Sequence, residues 1–135
     1  MNGKVGQNKG GAIYWEGANG NLSNCIFTNN NAVYGGAVYW DGDHGTVSKC
    51  GFSQNSGKWG DFGWGGAVYW DGAFGTVSES TFAYNFAYSI GGAVYWGGMQ
   101  GTVSGCEFVG NYLADEESFT SSGNAIYNTG NFFFF

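Results

Sequence analysis

GGAVYWDGDHGTVSKCGFSQN, residues 35–55, carries three landmarks in order: Gly35-Gly36-Ala37-Val38-Tyr39-Trp40, Gly45-Thr46-Val47-Ser48 and Phe52-Ser53-Gln54-Asn55. The first recurs as Gly-Gly-Ala-Val/Ile-Tyr-Trp from Gly10, Gly65 and Gly91, with a degenerate copy, Gly-Asn-Ala-Ile-Tyr-Asn, from Gly123. The third recurs as Phe27/Asn30, Phe82/Asn85 and Phe108/Asn111, and Val5/Asn8 reads as its remnant in a truncated leading coil. From the first Gly to the Asn is 20 residues in each full copy: 10 to 30, 35 to 55, 65 to 85 and 91 to 111. The gap from each Asn to the next copy instead holds 1, 4, 9, 5 and 11 residues in turn. A rigid block joined by segments of free length describes a coil with one tolerant corner, since loop closure costs rise slowly with length.

Inside the second block, residues 36–40, 46–48 and 50–52 read as three short strands. Val47 and Cys50 are three apart, so alternation breaks at Ser48–Lys49, where a bend lets both point inward. The equivalent bend residues, Asn24, Lys49, Glu79 and Gly105, are polar or glycine. Such a coil cannot close a core alone, but stacked on like neighbours at about 4.8 Å it can. The 27 glycines, and no apolar series at helical spacing, exclude a helical fold. A propeller or sandwich would need longer strands and regular hairpins. The expected fold is all-β: a right-handed, single-stranded parallel β-helix forming one domain over residues 1–135. Its coils start near residues 10, 35, 65, 91 and 123.

Stacking allows each column to be judged separately. Ile13/Val38/Val68/Val94/Ile126, Leu22/Val47/Val77/Val103 and Phe27/Phe52/Phe82/Phe108 never admit a polar residue and read as core. Asn30, Asn55, Asn85 and Asn111 read as an amide ladder at a bend. Cys25, Cys50 and Cys106 share a column with Ser80 and read as buried free thiols, because parallel Cβ vectors one coil apart suit a disulfide poorly. Alternation aims Tyr39, Tyr69 and Tyr95 outward. Trp40 and Trp70 follow at a strand end expected to touch water, because Asn128 takes the Trp position in the fifth copy. Asp41 and Asp71 come next. This aromatic ladder edged with carboxylates is either a platform for sugar rings or plain cross-coil stacking.

Composition narrows the function. The net charge is −6, and the four cations are all lysines. Without arginine's planar fork, nucleic acid is a poor partner. The longest apolar run, Phe132–Phe135, is far too short to cross a bilayer. No secretory signal precedes the repeats, so a displayed protein would have to be a piece of a longer secreted chain. Neither a metal-ligand spacing nor a cofactor motif is present, and none is expected.

Catalysis is weighed and set aside. Asp41 and Asp71 would stand about 5 Å apart, as in a retaining glycosidase, but any laddered acid does so. His44 sits in a turn and is replaced by Asn19, Phe74 and Gln100 in the other coils. A polysaccharide-acting enzyme therefore ranks below a binding protein. The rows Thr46/Ser48, Thr76/Ser78 and Thr102/Ser104 raise ice binding as a further class.

The variable corner is the better place for function. Residues 56–64 carry Trp59, Phe62 and Trp64, and residues 112–122 carry Asp115, Glu116, Glu117 and Phe119. Aromatic loops on a rigid scaffold suit binding, although these rings are equally suited to covering the coil edge. With both Gly-Gly-Ala-Val/Ile and Phe-x-x-Asn in four coils, residues 5–128 resemble the repeat regions of β-helical adhesin-like proteins of methanogenic archaea. They are also similar to chlamydial polymorphic outer-membrane proteins. The resemblance implies surface display and contact with a glycan or protein on another cell. The alternatives are a structural stalk or a filament of coils stacked end to end.

Overall fold

The computed structural model describes residues 9–114, 125–129 and 132–134. The Val5/Asn8 element, Gly123 and the acidic segment with Asp115, Glu116, Glu117 and Phe119 lie outside these residues.

The chain winds into stacked coils that build four parallel sheets. The first sheet stacks Ile13–Trp15, Val38–Trp40, Val68–Trp70, Val94–Trp96 and Ile126–Asn128. The second stacks Asn21–Ser23, Thr46–Ser48, Thr76–Ser78, Gly101–Ser104 and Phe132–Phe134. Ile26–Thr28, Gly51–Ser53, Thr81–Ala83 and Glu107–Val109 form the third. A fourth, of two-residue strands, contains Asn31–Ala32, Ser56–Gly57, Phe86–Ala87 and Tyr112–Leu113. This corrects the expectation of three strands per coil: the fourth begins directly after the ladder Asn, where two residues show no periodicity. The registers are those of the repeats, with Val38 against Ile13 and Val68, and Phe52 against Phe27 and Phe82.

The corners explain the sequence motif. Each full coil turns through four residues with φ between 49° and 69°. In the second coil they are Gly35, His44, Lys49 and Gln54, and the expected Ser48–Lys49 bend is one of them. The second glycine of each pair answers a different need. A Cβ on Gly36 would collide with the carbonyl of Gly66 in the next coil, so backbone-to-backbone approach demands glycine there.

Side chains continue the ladder. The phenylalanines stack at 4.8–5.0 Å between centroids and the tryptophans at 4.7–4.9 Å. The expected wet position of the tryptophans is overturned: Trp40, Trp70 and Trp96 are 0% exposed, in the same cluster as Val38, Val68 and Val94. Val points in, Tyr out and Trp in, which is ordinary alternation carried to the strand end. Each indole packs against a glycine at the start of the next strand, so that a Cβ on Gly45, Gly75 or Gly101 would strike it.

The asparagine column is the hydrogen-bonded ladder that was expected. Asn55 Oδ1 accepts from the backbone N–H of Asn30 at 3.0 Å and from its Nδ2 at 2.9 Å. Asn55 Nδ2 donates to Asn85 Oδ1 at 3.0 Å and to the Phe27 carbonyl at 3.1 Å. All four hydrogen-bonding capacities of the buried amide are thereby met.

Candidate functional site

The tyrosine ladder is less open than its outward direction implies. Tyr14, Tyr39, Tyr69, Tyr95 and Tyr127 stack at 4.5–5.6 Å. Tyr39 is only 4% exposed. The Lys9 ammonium lies 4.5 Å from its ring centroid, and Tyr34 packs edge-on against Tyr69 at 5.5 Å. Burial pushes the phenols of Tyr39, Tyr69 and Tyr95 above their usual range, and the hydrogen bond to Tyr39 raises Lys9. Asp41 and Asp71 are exposed in a row with Glu16 beside this ladder. Trp40 and Trp70, grouped with these residues by sequence, present no surface to a ligand.

The nine-residue corner divides its aromatics. Trp59 and Phe62 face each other across a two-residue hairpin, exchanging N–H···O bonds of 2.8 and 3.2 Å. Gly60 turns it at φ 58°. Directly opposed residues share a face of the hairpin, so the two side chains form one patch. They stay 49% and 46% exposed. Trp64, expected beside them, has rejoined the coil: it bridges to Tyr34 and stacks on its ring at 4.9 Å. One loop thus satisfies both readings, covering the coil edge with Trp64 and presenting Trp59 and Phe62.

A groove between the third and fourth sheets was not anticipated. It encloses about 440 Å³ and is lined by Asn29, Gln54, Asn55, Ser56, Tyr84, Phe86 and Tyr112. Its walls are two columns that flank the asparagine ladder: Asn29/Gln54/Tyr84/Gly110 and Asn31/Ser56/Phe86/Tyr112. Unlike the core columns, these change residue type in every coil. That variability beside an unvarying Asn was the signal available in the sequence.

The remaining reactive groups are quiet. The three thiols are free, and burial raises those of Cys50 and Cys106. Each points its sulfur at the carbonyl two residues back, and Ser80 does the same with its hydroxyl at 2.8 Å, which is why serine fits the column. Among the described residues no three His, Cys, Asp or Glu side chains gather as a metal site.

A family model described as a right-handed β-helix region matches residues 2–133. Searches of curated proteins and of solved structures returned no match.

Proposed function

Because this chain belongs to the family of right-handed β-helix regions, we propose that it is a non-catalytic, adhesin-like segment that makes contact with another cell. On this reading it is displayed at a cell surface or outside the cell as part of a longer secreted chain, and it needs no cofactor. The observation that carries the reading is the exposed Trp59–Phe62 pair on a hairpin raised from an otherwise repetitive coil. Paired aromatics on a rigid support bury large area at small entropic cost, as contact hot spots do. The acids favour the same reading. Glu16, Asp41 and Asp71 follow the Trp in three successive coils, with Gly97 in the fourth, as a repeated edge position does, whereas a catalytic pair would be set apart at one place.

Beads coated with the protein should adhere to a panel of intact cells. The Trp59→Ala/Phe62→Ala variant should lower that adhesion about tenfold or more while melting unchanged. The uninterrupted Asn and aromatic ladders favour a second reading, a stiff stalk that only spaces other parts. Wild-type beads that adhere to nothing would support the stalk and defeat the adhesin reading.

A further inference from the structure

We propose that the groove beside the asparagine ladder is a binding site for neutral oligosaccharides. This rests on the adhesin reading and names the chemistry that one of its contacts recognises. Four observations carry it.

The first is composition. Every side chain lining the groove is an uncharged amide, hydroxyl or aromatic ring, in a chain of net charge −6. No lysine lines it, so nothing there would offset a uronate or sulfate. The second is its polarity along the solenoid axis. The lower coils contribute Asn29, Gln54 and Ser56, while the upper coils contribute Tyr84, Phe86 and Tyr112. An apolar recess of about 470 Å³, lined by Tyr84, Val109, Gly110 and Tyr112, shares two of those walls. A pyranose has the matching character: hydroxyls around its rim for amides and hydroxyls, and C–H faces for aromatic rings.

The third observation is how Tyr84 is held. It adopts φ 57° at its corner, and the ring lies over Gly110 of the next coil. A Cβ at Gly110 would come within 2.6 Å of Tyr84 Cδ1 and Cε1, so glycine there keeps a seat for the ring. Tyr84 nevertheless remains 58% exposed, which leaves ring surface for a ligand. Phe86 and Tyr112 stand 5.0 Å apart with planes tilted by 47°, unlike the parallel stacks of the core. The fourth separates a sugar from an extended peptide. The backbone N–H groups of Gln54, Ser56, Tyr84, Phe86 and Tyr112 are already bonded to neighbouring coils. A peptide backbone cannot pair with these donors, so recognition at these five residues falls to side chains.

The test is affinity electrophoresis and calorimetry of the whole chain with cellohexaose, mannohexaose and xylohexaose, with polygalacturonate as the acidic comparison. The variants are Gln54→Ala, Tyr84→Ala and Trp59→Ala/Phe62→Ala, all at exposed positions, each checked by melting. The expected result is binding of at least one neutral hexasaccharide, weakened about tenfold by Gln54→Ala or Tyr84→Ala and unchanged by the hairpin variant. Loss confined to the hairpin variant would overturn the groove while leaving adhesion standing. Binding of polygalacturonate alone would overturn the neutral class. No binding at all would overturn the groove, and the bead assay would then decide the adhesin reading separately.

Discussion

Asn85→Ala is expected to destabilise the protein by about 4 kcal/mol or more, a large share of the stability of an ordinary domain. The size follows from what the amide holds. Its Oδ1 accepts the backbone N–H of Asn55 at 3.0 Å and Asn55 Nδ2 at 3.0 Å, and its Nδ2 donates to the Phe52 carbonyl and to Asn111 Oδ1. Removing the side chain strands two donors of Asn55 in a site where Asn55 is 1% exposed. Each unmet buried group costs about 1–3 kcal/mol, and the vacated volume adds to that. Urea denaturation followed by circular dichroism would measure it.

Asn85→Asp separates hydrogen bonding from volume. The introduced carboxyl can still accept from Asn55, but its second oxygen faces the Phe52 carbonyl and Asn111 Oδ1, both acceptors. Only the protonated form can donate there, so folding raises its pKa above the unfolded value of about 3.9. The deficit relative to wild type is therefore smallest in acid and grows as pH rises from about 4 towards the folded-state value. A deficit that does not vary with pH would show that the ladder is held by packing alone.

The second large effect is at the tryptophan stack. Trp70→Ala should cost about 4 kcal/mol, because it empties a fully buried site between Trp40 and Trp96. Gly75→Ala should cost about 2 kcal/mol, since its methyl would meet Nε1 and Cε2 of the Trp70 indole, which has no space to retreat. The two changes should not add. Once the indole is gone the methyl loses the three atoms it would strike, so the double variant should be about as stable as Trp70→Ala alone. Additive losses, measured by thermal melting of all four proteins, would show that Gly75 is required for some other reason.

That Trp–Gly contact is also written in the sequence. The fixed span of 20 residues from Gly to Asn makes the coil, its register and the Asn ladder legible, because laddered residues must keep the same offset from the start of every coil. Asn128, the one polar residue in their column, masks the burial of the tryptophans. The corrective signal was present: Trp15, Trp40, Trp70 and Trp96 are each followed five residues later by glycine, at 20, 45, 75 and 101. The register sets Asn128 against Trp96 and Phe132 against Gly101, so the indole and the glycine are lost together.

The fourth strand was hidden for a different reason. Two residues per coil, at the mouth of a segment of variable length, leave no alternation to detect. The candidate sites divide the same way. Exposure of Trp59 and Phe62 was inferable from an insertion that the coil does not need. Trp64 was misplaced because its bond to the preceding coil depends on where the hairpin closes. The groove escaped because its walls come from four coils, and only stacking sets Gln54, Tyr84, Phe86 and Tyr112 side by side.

Binding at the variable corner and its flanking groove, carried by a scaffold that folds without them, is tested most directly by stripping that side of the molecule. Deleting residues 59–63 shortens the nine-residue corner to the four residues found between Asn30 and Gly35, joining Lys58 to Trp64. Combined with Tyr84→Ala, it removes both proposed contacts and leaves every core column intact. Cell adhesion and neutral-hexasaccharide binding should both fall about tenfold or more, with the circular dichroism spectrum and cooperative melting retained. Undiminished binding by the stripped protein would contradict the account and move the site to the Tyr39–Tyr69–Tyr95 face.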